Sequence, residues 1–151
     1  MLELAQLSDL EDVNRISAQV AEQHTIWRPD LFRCSNCSYT AEYFEEEIKG
    51  KRLFVAKIDG IVIGYTHFYI WETSGACAVS RKIMSITDFG VEKSCCGQGF
   101  GTQMMMELRA LSRAFHCSDM ELTVYPQNDA AVAFYQKCGF MIKSIEMQRK
   151  V

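Results

Sequence analysis

The sequence predicts an α/β (α+β) domain, a mixed and twisted central sheet flanked by about four helices. Three observations predict it. Two apolar runs, "RLFVAKI" and "IVIGYTHFYIW", are joined by Asp59-Gly60, a tight-hairpin signal, so part of the sheet is antiparallel. Further on, "KIMSITDFGV" and "MELTVY" bracket a segment of helical period, a βαβ-like unit that calls for parallel pairing. Finally, 151 residues of which 48% are hydrophobic suit a single domain, 1–151, with one sizeable core.

Each element has its own signal. "LELAQL" (Leu2 to Leu7) alternates and reads as a first strand. Ser8 followed by Glu11 reads as a capping box for a helix whose buried stripe is Leu10, Val13, Ile16 and Val20. "HTIWRPDLFRCSNC" reads as a loop broken by Pro29, and "TAEYFEEEI" as a short helix with a solvated acidic face. After the hairpin and "KIMSITDFGV", a helix runs from about Gly99 to Phe115. Its apolar face is Phe100, Met104, Leu108, Leu111 and Phe115, and its methionines are core. Pro126 stops "MELTVY"; Asn128 caps "DAAVAFYQKC"; Gly139 ends that helix; "FMIKSIEMQRKV" is a last strand. The order is β-α-α-β-β-β-α-β-α-β.

Composition narrows the function classes. No run of about 18 apolar residues exists, so no membrane span is expected. A net charge of −3 argues against a broad nucleic-acid surface. The N-terminus has no basic region of a signal peptide, and seven cysteines is an odd number; both point to a reduced, cytoplasmic setting. "CSNC" (Cys34, Cys37) has the spacing of half a zinc site, but no second such pair exists, so no metal is expected. Redox sensing through adjacent Cys95 and Cys96 is a lesser reading, since neighbouring cysteines make a strained disulfide.

The most informative stretch is "SITDFGVEKSCCGQGFGTQM", where a strand gives way to glycines at 97, 99 and 101 and a helix starts at once. It is no Walker loop, because Thr102-Gln103 follows Gly101 where Lys-Ser/Thr is needed. It is no Rossmann fingerprint either, for Thr102 and Met104 stand where the third glycine belongs. Glycines at a helix N-terminus leave successive N–H groups free to turn on one anion, here a pyrophosphate.

With those residues in view, "VEKSCCGQGFGTQMM" resembles the acyl-CoA motif of the GNAT superfamily of N-acetyltransferases, Arg/Gln-x-x-Gly-x-Gly/Ala, and "YPQNDAAVAFYQKCGF" resembles its second motif. The element order is similar over nearly the whole chain, which implies six to seven strands. One departure is Cys96, at the Arg/Gln position.

The resemblance implies an acetyl-CoA-dependent N-acetyltransferase acting on a primary amine of a small molecule or peptide, with acetyl-CoA as cosubstrate and a homodimer as a family-level expectation. It implies that Phe89, Gly90 and Val91 line the pantetheine and that Cys96, Gly97, Gln98, Gly99, Phe100, Gly101 and Thr102 wrap the pyrophosphate. Asn128, Ala131, Phe134 and Tyr135 flank the arm. With Cys96 neutral, Gln98 and Lys93 are the side chains left to assist the loop amides. Tyr135 is the expected general acid for the leaving thiolate. Asp88 is the expected base or substrate contact; His24, His67 and a water chain stay open as alternatives, and Glu92 reads as a solvated turn residue. The acceptor wall is drawn from His24, Trp27, Arg28, Tyr39, Tyr43, Phe44, Tyr69 and Trp71. A different class of function, a non-catalytic acyl-CoA-binding module, draws on Cys96 alone.

Overall fold

The computed structural model describes residues 1–33 and 38–151; the Cys34/Cys37 spacing lies outside the described residues. Five strands, β1 (Leu2–Leu4), β2 (Leu53–Ile58), β3 (Ile61–Thr73), β4 (Arg81–Val91) and β5 (Asp119–Leu122), form one sheet in the order β1-β2-β3-β4-β5. The first four pair antiparallel with their neighbours, and β5 runs parallel to β4. The β2–β3 hairpin turns on Asp59 and Gly60, both at positive φ (50° and 81°), as the tight turn requires.

The expected sixth strand is not formed by residues 140–151, so the six-to-seven-strand expectation is corrected to five among the described residues. In "FMIKSIEMQRKV", Ile142 lies on one parity and Met141, Ile145 and Met147 on the other, so no single face collects the apolar residues. All four stay 74–91% exposed.

Four helices flank the sheet, as expected: α1 (Leu10–Trp27), α2 (Ala41–Lys49), α3 (Phe100–Ala114) and α4 (Asp129–Lys137). The entry to α1 differs from the Ser8–Glu11 reading. A 3-10 turn over Leu7–Asp9 precedes it, and the Gln6 N–H donates to the Asp9 carboxylate at 2.9 Å. The helix also runs on through Trp27, absorbing the start of the expected loop, so His24 sits in its last turn. Thr40 caps α2 by accepting from the Tyr43 N–H, and Asn128 caps α4 by accepting from the Ala131 N–H. Among the described residues no helix is long and apolar enough to cross a membrane.

Core forms on both faces of the sheet. Val13 and Ile16 of α1 and Phe44 of α2 pack with Leu53, Val55 and Tyr65 on one face. Met105 and Leu108 of α3 pack with Phe68, Met84 and Ile86 on the other; Met104 and Met105 are core as expected, but Met106 is exposed. Each such fully buried side chain contributes about 1.5–3 kcal/mol.

Two irregularities shape the C-terminal half of β4. The β3–β4 register shifts after His67, leaving Thr87 as an extra residue between Ile86 and Asp88. Pairing with β5 covers only Ile83 to Ile86. From Thr87 to Val91, β4 has β3 on one side and, among the described residues, no strand on the other.

Candidate active site

The open edge of β4 is polar. The Glu92 N–H donates to the Ile63 carbonyl at 2.8 Å, so strand alternation directs the Gly90 and Asp88 amides to β3 and those of Phe89 and Val91 to the open side. Past Glu92 the chain makes a 3-10 turn, Lys93–Cys95, and then reaches Gly97 (φ +76°) and Gly99 (φ +89°). A residue with a Cβ is strained at either position. Gly99 caps α3, whose first internal hydrogen bond runs from the Gln103 N–H to the Gly99 carbonyl at 3.1 Å. The N–H groups of residues 97–102 therefore have no acceptor among the described residues. Unpaired amides at a helix N-terminus, with the helix dipole behind them, suit an anion.

Gly101 differs from its two neighbours. It has no positive φ, and a Cβ there would meet Phe134 and Val91 at 3.5–3.6 Å, ordinary contact. Positive φ therefore calls for glycine at 97 and 99 but not at 101.

Few side chains assist this loop. The Cys96 thiol is exposed and approaches only the carbonyl oxygens of Glu92 (3.5 Å) and Val91 (3.8 Å). The Gln98 amide donates to the Ser94 carbonyl at 2.8 Å, so it is tied to its own loop. Lys93 is exposed and forms no ion pair among the described residues. Glu92 is not the solvated residue expected: its side chain is mostly buried, Arg15 pairs with it, and Gln19 Nε2 donates to it at 2.7 Å.

Helix α4 closes the other flank of the open edge. Asn128 is occupied as its cap, Ala131 and Phe134 are half-buried, and the Phe134 ring packs on Phe89 with centroids 5.8 Å apart. Tyr135 packs against Phe89, Phe134 and Phe140. Burial first, then the Cys138 and Asp88 charges, push its phenol up to about 12, so it is protonated at neutral pH.

On the opposite side of Asp88 lies a cleft of about 580 Å³ between α1, α2 and the facing surface of β3–β4. The Asp88 carboxylate accepts from the Tyr39 hydroxyl at 3.0 Å. Tyr39 and Tyr43 stack with centroids 5.7 Å apart, and the Tyr43 and Tyr69 hydroxyls share a hydrogen bond of 3.1 Å at the rim. His24 stacks on Phe32 at 5.2 Å. Of the expected acceptor residues, His24, Tyr39, Tyr43, Tyr69 and Asp88 line the cleft. Trp27 stands edge-on to His24 without lining it, and Trp71 is exposed farther along β3, opposite Ile83. Phe44 is core, and Arg28 is held by Asp30 at 2.8–2.9 Å.

Sequence reasoning missed several lining residues. Tyr65 is fully buried, and burial and the Asp88 charge raise that phenol well above its usual range. Thr87 and Phe32 also line the cleft. The acidic face of α2 is not wholly solvated: Glu47 is buried and accepts from Arg52 Nε and Nη2 at 2.6 and 3.0 Å. His67 Nε2 lies 2.7 Å from the same carboxylate, and His67 Nδ1 lies 2.8 Å from the Thr87 hydroxyl. Hydrogen bonding to Arg52 holds the Glu47 carboxyl below its ordinary value despite burial. Both ring nitrogens of His67 are thus satisfied, and the chain Arg52–Glu47–His67–Thr87 reaches the cleft at the bulge. The available signal was the alternation of Tyr65, His67 and Tyr69 along one strand face.

A model of the acetyltransferase (GNAT) family matches residues 20–140. No curated protein matches the chain. Among solved structures, a mutant of the BH1408 protein from Bacillus halodurans superposes with a TM-score of 0.93 at 25% identity, covering 100% of this chain and 99% of that one. The aminoglycoside N-acetyltransferase AAC(6')-Iy, in complex with CoA, gives 0.71 at 18% identity over 100% and 99%. Glucosamine-6-phosphate N-acetyltransferase from Arabidopsis thaliana gives 0.67 at 21% over 99% and 97%. With the family model spanning both the glycine loop and α4, and the fold shared end to end, the chain belongs to the acetyltransferase (GNAT) family.

Proposed function

We propose that this protein is an acetyl-CoA-dependent N-acetyltransferase acting on a primary amine. The observation that carries the reading is the meeting of two unpaired backbone runs, the open edge of β4 at Phe89 to Val91 and the free amides of residues 97–102. The first suits the amide-bearing pantetheine arm, which adds to a sheet edge as a strand would. The second suits its diphosphate.

In this reading the Val91 N–H faces the thioester carbonyl and stabilises the charge that grows there. Asp88, with Tyr39 donating to it, holds the acceptor ammonium and takes its first proton. The amine nitrogen then bonds to the acetyl carbon and the carbon–sulfur bond breaks. Tyr135 gives its phenolic proton to the departing sulfur, and the second proton of the nitrogen restores it through water. Raised to about 12, the phenol is a weaker acid than a thiol near ~8.5, so the transfer runs uphill and is drawn forward by the positively charged nitrogen, whose second proton restores the phenol. Alignment in the cleft supplies much of the remaining acceleration.

Calorimetric titration of acetyl-CoA into the protein tests the carrying observation; absence of any heat at concentrations well above micromolar overturns it. The other reading, a non-catalytic acyl-CoA-binding module, is favoured only by the neutral Cys96. It predicts tight acetyl-CoA binding with no thiol released against any amine.

A further inference from the structure

We propose that the acceptor is a small monoamine with an aromatic body and no acidic group. The inference rests on the acetyltransferase reading and concerns the cleft on the far side of Asp88. Three properties of that cleft select the class.

The first is charge. Asp88 is the lone carboxylate on its surface, and no lysine or arginine lines it among the described residues. Of the guanidinium groups near it, Arg28 is gripped bidentately by Asp30 and Arg52 by Glu47, while Arg33, next to Phe32 in the chain, is exposed and does not line the cleft. An acceptor carboxylate or phosphate would stand near Asp88 with no counter-ion, a like-charge juxtaposition that binding does not tolerate. A second or third ammonium would be desolvated against rings with no second carboxylate to meet it.

The second property is the wall. Tyr39 and Tyr43 stack on one side, and His24 and Phe32 stack on the other. Ring faces accept both an apolar aromatic body and the edge of a cation held at Asp88.

The third is how little free backbone the described lining offers. Most of it is side chain from two helices and one sheet face; of its loop residues, Tyr39 has both backbone groups bonded to the Asn14 side chain, at 2.7 and 3.1 Å, and the Phe32 N–H donates to the Arg28 carbonyl at 2.9 Å. Peptides are read largely through their main chain, so this lining favours a small amine over a peptide. The free edge of β4 lies on the other side, where the pantetheine arm is placed.

Thiol release from acetyl-CoA with a matched set of amines tests the assignment. The set is phenethylamine, phenylalanine (the same body with a carboxylate), propylamine, spermidine, kanamycin and a lysine-containing peptide. We expect kcat/KM for phenethylamine to exceed that for phenylalanine by at least about a hundredfold and to exceed each of the others by about tenfold or more. Phe32→Ala should lower the ratio of phenethylamine to propylamine by about tenfold. Calorimetry of phenethylamine into protein preloaded with coenzyme A gives the same ranking without chemistry. Phenylalanine, kanamycin, spermidine or the peptide matching phenethylamine overturns the acceptor class while leaving the acetyltransferase reading intact. Bound acetyl-CoA with every amine silent overturns the class and the catalytic reading together, and failure to bind acetyl-CoA at all removes the reading on which the class rests.

Discussion

The two sides of β4 between Thr87 and Val91 are built from different materials. The open edge and the loop beyond it present backbone: amides of Phe89, Val91 and residues 97–102, with hardly a committed side chain among them. The cleft behind Asp88 presents side chains: four tyrosines, two histidines, Phe32 and one carboxylate. A backbone site can bind the same invariant diphosphate in chain after chain, because its donors do not depend on residue identity. A side-chain site is free to change with every acceptor, and that freedom is how one scaffold serves many substrates.

The strongest way to test this division is at the seam, where Tyr135 of α4 meets Phe89 on the open edge. Tyr135→Phe keeps the ring packing and removes one hydroxyl. We expect kcat to fall by ~10²–10⁴, the usual weight of a positioned acid, with acetyl-CoA affinity unchanged by calorimetry. Equal turnover in the two proteins at saturating substrate would remove Tyr135 from the chemistry. Because the phenol is raised to about 12, wild-type kcat should show no alkaline loss attributable to Tyr135 below about pH 10.

On the side-chain face, Glu47 is the anchor, joining Arg52 to His67 beneath the bulge. Glu47→Gln takes the charge from a buried carboxylate that holds His67 and the half-exposed Arg52, and we expect a loss of about 1–3 kcal/mol of stability near neutral pH. The pH dependence comes from the depressed carboxyl. Its stabilisation is complete above the unfolded value near ~4.3 and disappears as pH falls through the lower folded value, so the gap in Tm between wild type and variant should close in acid. A gap that stays constant from pH 7 to pH 3 would contradict the ion-pair account.

The same division explains what was legible in the sequence. The glycine loop and its helix could be read because a backbone site constrains residue type: positive φ at 97 and 99 excludes almost everything else. The hairpin at Asp59-Gly60 and the cap at Asn128 were legible for the same kind of local reason. The cleft was only half legible. His24, Tyr43 and Asp88 reach it, but Trp71 lies two residues past Tyr69 on the same strand and misses it, while Tyr65 and Thr87 line it unexpectedly. No local rule says how far along a strand a helix will cover it, or that a register shift will insert Thr87 beside Asp88. Glu47 and Glu92 read as surface acids because their partners, Arg52 with His67 and Arg15 with Gln19, are assembled only by the tertiary fold. The last strand was misread for the converse reason: a β-rich composition without one consistent parity.

The smallest effects discriminate most finely, because they separate glycines that look alike in sequence. Gly99→Ala places a Cβ at φ +89°, which costs about 1–2 kcal/mol and disturbs the amides that cap α3. We expect a lower Tm and acetyl-CoA binding weakened by about five- to thirtyfold.

Gly101→Ala, two residues on, should do neither. Its φ is ordinary, its Cβ would rest 3.5 Å from the Phe134 ring, and it lies inside the first turn of α3, where alanine is the better helix former by about 0.5–1 kcal/mol. We expect a Tm equal to wild type or higher by about 2–4 °C, with acetyl-CoA affinity retained, since the backbone N–H of residue 101 is still free to donate. If Gly101→Ala instead weakened binding as much as Gly99→Ala, the pantetheine arm would have to pass closer to α3 than Phe134 allows. The two glycines would then serve one purpose, the close approach of ligand to backbone, rather than the two distinct ones that their dihedral angles describe.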